Sequence, residues 1–397
     1  MKEAIIFGGG AVGRGFIGQL FSESGYFVTF VDVDQPLLDA FNRRGAYTIR
    51  LVTNERSAEV TVGPVRALHA ADREAVAEAV ARAEIGATAV GAAVLKHIAP
   101  AIAGGISRRK QASVAAPLNL IVCENLKGAA ATLRELTQAA LPAEDHGFMA
   151  GQIGFVDTVI ARMAPPLTPE LRAQDPSLIL VEPYKELPVD RAGFVGEPPT
   201  VVGMIPYAPF AFFTERKLYI HNAGHAVLAY LGYQAGYEYG YEALTNAAIF
   251  PQVRGAMAES ALALARKYQP PAGSLEANIE DLLARFANRA LGDTILRLGR
   301  DPLRKLAPTD RLVGAARNAL AQGVTPTHLV TGIAAALRFD HPDDPIAQEL
   351  QARLRAADVT RVLAEACEIR PGEPLFNMIV PCYWAMAGQR MRRPTVS

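Results

Sequence analysis

Two hydrophobic patterns divide the chain. In the first half, apolar residues dominate short runs, at 4–7, 27–31, 60–65, 118–123 and 178–181, with helical patterns between several of them. Runs of that length bounded by turn residues read as strands buried on both faces, and their alternation with helices predicts a parallel sheet. The first helix is the clearest, because Phe16, Ile17, Leu20 and Phe21 recur at helical spacing and Gly25 ends it. An alanine-rich helix over 72–83 and a run of small residues over 87–95 follow.

After a proline-rich passage between Pro198 and Pro209 the pattern changes. Leu275, Ile279, Leu282, Leu283 and Phe286 follow a helical period with Ser274 as the expected N-cap, and similar patterns cover 310–321, 326–337 and 345–355. The expected fold is an α/β Rossmann-type N-terminal domain, residues 1–195, followed by a mostly α-helical C-terminal domain, residues 196–397, that carries substrate and catalytic groups.

Composition narrows the partners. At 397 residues the chain exceeds one ordinary core, and with half its residues hydrophobic, a fifth charged and a formal net charge of zero it reads as globular. It has no basic excess to follow a phosphate backbone, so no nucleic-acid partner is expected. Nor does any apolar run approach the roughly eighteen residues of a membrane span. The chain enters a strand at once, leaving no room for a signal peptide, and Cys123, Cys367 and Cys382 are widely spaced. Reduced thiols and a cytoplasmic location are the expectation.

The first strand runs into Gly8-Gly9-Gly10-Ala11-Val12-Gly13, a G-x-G-x-x-G loop in strand–helix context. In such a loop Gly8 allows the tight turn, Gly10 lets backbone approach a pyrophosphate, and Gly13 lets the helix pack on the strand, with helix N-terminal amides facing the phosphates. Asp32 ends the second strand about twenty residues on, where an acid bonds the ribose 2'-hydroxyl and disfavours a 2'-phosphate. NAD is therefore the expected cofactor, the competing reading being that Asp32 caps the next helix. Gly91, among small residues, is a candidate for close approach of the cofactor, or else a packing glycine. Asn125 follows the strand 118–123 at the ligand-binding edge of the sheet, where it is a candidate amide donor or an ordinary turn residue.

In the second half Lys217, Asn222 and His225 form a Lys-x4-Asn-x2-His motif before an apolar helix. An amine beside an amide donor can take a proton from an alcohol and stabilise the alkoxide. His221 and His225 have the spacing of a zinc pair, but no Cys or Glu lies near in sequence to complete the ligands, so no metal is expected. No lysine has a tyrosine four positions before it, which excludes the short-chain Tyr-x3-Lys arrangement. Arg297, Arg300, Arg304 and Lys305, with Arg311 beyond, make a basic cluster that suits an anionic substrate; alternatively, these cations pair with Asp293, Asp301 and Asp310.

Over most of its length the chain resembles the polyol-specific long-chain dehydrogenases of the mannitol dehydrogenase family. The resemblance rests on residues 7–18, on Cys123-Glu-Asn125, on Glu215-Arg-Lys217-Leu with Asn222 and Gly224-His225-Ala, and on residues 299–306. It implies a metal-independent, NAD-dependent dehydrogenase in which Lys217 is the general acid/base and Asn125 and Asn222 hold the reacting oxygen. His225 orients the lysine and contacts substrate, and Arg297 and Lys305 line the substrate pocket. The implied substrate is a hexitol phosphate, mannitol 1-phosphate being oxidised reversibly to fructose 6-phosphate, and the implied assembly is a monomer or homodimer. An unphosphorylated hexitol or a hexonate is the alternative substrate, and a non-catalytic NAD(H)-binding sensor the alternative role. Ile160-Ala161-Arg162 stands where the family commonly has Val-Asp-Arg, so an acidic pocket residue is missing, and Asp157 is the candidate to compensate.

Overall fold

A computed structural model of the chain describes residues 1–126, 128–165 and 167–387. Its strands, in chain order, are β1 (Lys2–Phe7), β2 (Tyr26–Asp32), β3 (Tyr47–Val52), β4 (Ser57–Val62), β5 (Val65–His69), β6 (Ile85–Thr88), β7 (Leu118–Val122), β8 (Ile153–Asp157), β9 (Ile179–Val181), β10 (Leu187–Asp190) and β11 (Met204–Tyr207). Six of them form one parallel sheet in the order β5-β2-β1-β6-β7-β8. The first three strands of this sheet run outward in one direction and the last three in the other, as in the doubly wound Rossmann fold, and the order reverses between β1 and β6. Ligands of such sheets bind outside the strand C-termini at that reversal.

Burial on both faces explains the mostly apolar runs. Ile5, Phe7 and Leu120 belong to the core on one side of the sheet, and Ile6, Phe30 and Ile121 to that on the other. Helices Arg73–Arg82 and Leu95–Gln111 pack together over the first side. A hairpin escaped the sequence pattern: β3 and β4 pair antiparallel, and β9 joins β3 in parallel, making a separate three-stranded sheet. The run 60–65, expected as one strand, is split: it covers the end of β4, the Gly63-Pro64 turn and the start of β5, which lie in different sheets, and the rest of β4 is too exposed to extend the run.

The chain divides into two compact units, the first ending at Ala211 and the second starting at Phe212. The segment after Gly196 stays with the first because β11 pairs in parallel with β10. The second unit is largely helical. Its helix Ala223–Gln234 is buried on nearly every side and packs against Ile249–Tyr268 and Thr327–Leu337. The latter helix has its first amides held by Glu259, which accepts from His328 at 2.7 Å and Leu329 at 2.9 Å. Helix Ser274–Phe286 forms where its periodicity places it, but the N-cap is Gly273, and the Ser274 hydroxyl donates back to the Pro271 carbonyl. Among the described residues, no helix is long and apolar enough to cross a membrane.

Candidate functional site

In the first unit the turn after β1 is built by glycine. Gly8 has φ +96°, and a Cβ there would lie 2.4 Å from the Ala89 carbonyl oxygen, so the turns after β1 and β6 touch. At Gly13 a Cβ would fall within 1.8 Å of the Gly8 carbonyl oxygen, so the helix start is pressed onto the turn. The crest is open by contrast: Gly10 and Ala11 are exposed, Val12 is half-buried, and a Cβ on Gly10 would meet nothing within 4 Å.

Residues Gly13–Ile17 form a π-helical turn that continues as the α-helix Gly18–Glu23. Such turns concentrate at functional sites. Two buried arginines brace this one. Arg14 donates to the carbonyls of Gly9 and Leu178, and burial lowers its pKa. Arg162 donates to the Glu182 carbonyl at 2.7 Å, the Gly15 carbonyl at 3.0 Å and Gln19 Oε1 at 2.7 Å, and burial lowers its pKa to about 10. Its Nη2 is buried without a partner among the described residues, and the side chain lines a cavity of about 150 Å³ beside Ala11, Val12 and Phe16. Sequence reading assigned neither arginine a role.

Asp32 lies at the end of β2 against the glycine loop. Its Oδ2 accepts the Gly9 amide at 2.6 Å, and its Oδ1 accepts those of Val33 at 2.7 Å and Asp34 at 3.1 Å. An ionised carboxylate offers about four acceptor positions. Three are taken, so one remains on Oδ2 for a hydroxyl donor.

At the strand-order reversal, Gly91 is exposed with φ +90°, and a Cβ there would again meet nothing within 4 Å. The turn that holds it is tied to the end of β7: Glu124 Oε1 accepts the Val90 amide at 3.0 Å and Oε2 the Gly91 amide at 2.7 Å. Glu124 is buried and Asn125, next in the chain, is exposed. Asp157 accepts the Ala130 amide at 3.0 Å at the start of helix Ala129–Ala140, which occupies one of its oxygens.

In the second unit Lys217–Asn222 is another π-helical turn, set between helices Ala211–Arg216 and Ala223–Gln234. The motif therefore lies inside a continuous helical run and not before its first turn. Lys217, Asn222 and His225 are all half-buried. Burial, with help from the Arg311 cation, lowers the Lys217 pKa to about 8. Arg311 is held in place by Asp310, whose Oδ1 accepts its Nε at 2.7 Å.

His225 lies flat on Phe286, with ring centroids 3.7 Å apart and planes at 24°, and His221 meets His225 edge-on at 4.9 Å. Both imidazoles are pushed well below the usual histidine value, by burial first; for His225, Arg297, Arg285 and Arg311 add to it. His225 is thus neutral near pH 7, able to accept one hydrogen bond and donate another.

The basic cluster divides. Arg297 pairs with Asp293, and Arg304 with Asp301 at 2.8 Å, as the ion-pair alternative anticipates, while Arg300 is exposed. Lys305 is buried and donates to the Arg300 carbonyl. Burial lowers its pKa to about 7, Arg311 and Arg304 lowering it further against the opposing pull of Asp301 and Asp344. Lys217, Lys305 and His225 all feel Arg311, so the structure gathers around one arginine residues that are far apart in sequence.

Residues 2–203 match the model of the mannitol dehydrogenase Rossmann domain, and residues 210–385 that of the mannitol dehydrogenase C-terminal domain. A mannitol-1-phosphate 5-dehydrogenase of Brevibacillus brevis is 40% identical over 95% of this chain and 96% of its own. Another, of Bacillus licheniformis, is 38% identical over 95% of this chain and 98% of its own. Among solved structures, a substrate-free D-sorbitol dehydrogenase superposes with a TM-score of 0.81 at 17% identity, covering 97% of this chain and 93% of that one. The Pseudomonas fluorescens mannitol 2-dehydrogenase, solved with NAD and D-mannitol, superposes with a TM-score of 0.70 at 18% identity, covering 97% and 92%. Those two likenesses concern the fold alone.

Proposed function

The chain belongs to the mannitol dehydrogenase family, and from this we infer that it is an NAD-dependent oxidoreductase interconverting mannitol 1-phosphate and fructose 6-phosphate. The observation that carries the chemistry is Lys217: an amine whose pKa is lowered to about 8 by burial and Arg311, on the same helical turn as an amide side chain. A general base works best with a pKa near the operating pH.

The first unit's residues fit NAD. The open crest at Gly10 admits a pyrophosphate to the loop amides, Arg162 Nη2 is a buried donor beside that loop without a partner among the described residues, and Asp32 keeps one acceptor for a ribose hydroxyl. A 2'-phosphate would meet the Asp32 carboxylate, so NAD is preferred over NADP. When bound, NAD supplies the hydride acceptor.

In the oxidation, neutral Lys217 takes the proton of the reacting hydroxyl as hydride leaves the same carbon. Asn222 donates to the oxygen and stabilises negative charge as it develops there. His225, held neutral, orients the lysine amine. In the reverse direction the Lys217 ammonium returns the proton. No metal takes part in these steps. Arg300 and Lys305 serve the phosphate of the substrate, whose charge favours the protonated form of Lys305.

Following NADH absorbance with fructose 6-phosphate, fructose and a ketohexonate in parallel tests the reading. Oxidation with fructose 6-phosphate well above the other two is expected. Preference for fructose or the ketohexonate would move the substrate class, and oxidation with none of the three would overturn the reading.

A further inference from the structure

The Cys123-Glu-Asn125 segment carries a carboxylate that the reaction described above does not use. Glu124 is 9% exposed, and both its oxygens are committed to backbone amides of the neighbouring strand's turn, Val90 and Gly91. That turn is also fixed from the other side. The Ala89 amide donates to the Phe7 carbonyl at 2.7 Å, and the Ala89 carbonyl oxygen fills the space a Cβ would need at Gly8. The carboxylate thus ties the end of β7 to the turn after β6, and the Ala89 amide ties that turn to β1, so the C-terminal ends of the three strands around the reversal of strand order are joined.

We propose that Glu124 is a positioning residue for the nicotinamide half of the cofactor. By taking up the amides of Val90 and Gly91, it leaves the turn with its glycine open to a ligand and holds that turn at a fixed height above the strand ends. The inference rests on the NAD-binding reading. The adenosine half is served by other groups, the glycine loop and Asp32, which Glu124 does not touch. Its removal therefore acts on one half of the dinucleotide.

The test is binding, measured on the full chain without substrate. Glu124→Gln keeps the shape but turns an amide donor towards one of the two backbone donors, leaving a buried N–H unsatisfied. NADH should bind about tenfold or more weakly to it, as expected for such a loss, while ADP-ribose binds as it does to the wild-type chain. Gly91→Ala, which strains the same turn through its φ of +90°, should show the same split. Equal weakening of both ligands would make Glu124 a stabiliser of the whole unit and overturn the inference, as would unchanged NADH binding. A wild-type chain that bound ADP-ribose and NADH equally poorly would overturn the cofactor reading, and this inference with it.

Discussion

Lys217 and Asn222 stand at the two ends of one π-helical turn. In an α-helix five residues advance the chain by about 500°, so two side chains at that spacing diverge by roughly 140°. A π turn closes its hydrogen bonds on the fifth residue, which returns Asn222 above Lys217. The base and the proposed oxygen donor thereby share a face, and the α-helix that follows presents His225 three residues on.

The rate of polyol oxidation should follow deprotonation of Lys217. Turnover is expected to rise with pH to a plateau above about 8, because the proton must be absent before the base can act. Arg311→Met removes a nearby cation and leaves Asp310 without its partner. Both changes favour the ammonium, so the midpoint of the kcat–pH profile should move to higher pH. An unmoved midpoint would remove Arg311 from the account.

Lys217→Met should separate activity from stability. Turnover should fall on the order of a hundredfold or more, the range for loss of a general base, while NADH still binds. The folded-state pKa of Lys217, about 8, lies below its ordinary 10.5, so the folded chain holds fewer protons between those values. Stability contributed by this group is therefore complete above 10.5 and is lost as pH falls through 8. At pH 7 the buried ammonium is a liability, and its replacement should raise stability by roughly 1–3 kcal/mol. Denaturant unfolding at pH 7 and pH 10 checks this: the gain should shrink at the higher pH.

Substrate affinity should have the opposite pH trend. Lys305, with its pKa lowered to about 7, loses its charge as pH rises. KM for mannitol 1-phosphate should therefore increase between pH 6 and pH 8, and KM for free mannitol should not. In Lys305→Met the trend should vanish. A parallel trend for both polyols would assign the titration to another group.

Asp32→Ala is expected to weaken NAD and to relax discrimination against NADP, since the carboxylate that meets the 2'-position is gone. Because Asp32 also accepts the Gly9 amide, the loop itself is loosened and NADP should gain less than NAD loses. Kd values for the two reduced cofactors decide it; equal loss for both would leave Asp32 as a structural tie.

Much of this molecule was legible in one dimension. Short, mostly apolar runs announced a sheet buried on both faces, the glycine spacing announced the turn after β1, and the helical period of Leu275 to Phe286 placed its helix, with the N-cap one residue off. These are local properties, set by backbone sterics and by burial periodicity, and the sequence records them directly. The hairpin of β3 and β4 was hidden because the exposed first half of β4 carries no apolar signal, so its end at 60–62 read as one strand with the start of β5. Tertiary structure alone decided the rest. It brought the Glu124 carboxylate to amides more than thirty residues earlier, laid His225 on Phe286, and set Arg311 close enough to Lys217 to lower its pKa. Each depends on through-space distance and on burial between segments remote in the chain, and neither leaves a trace in residue spacing.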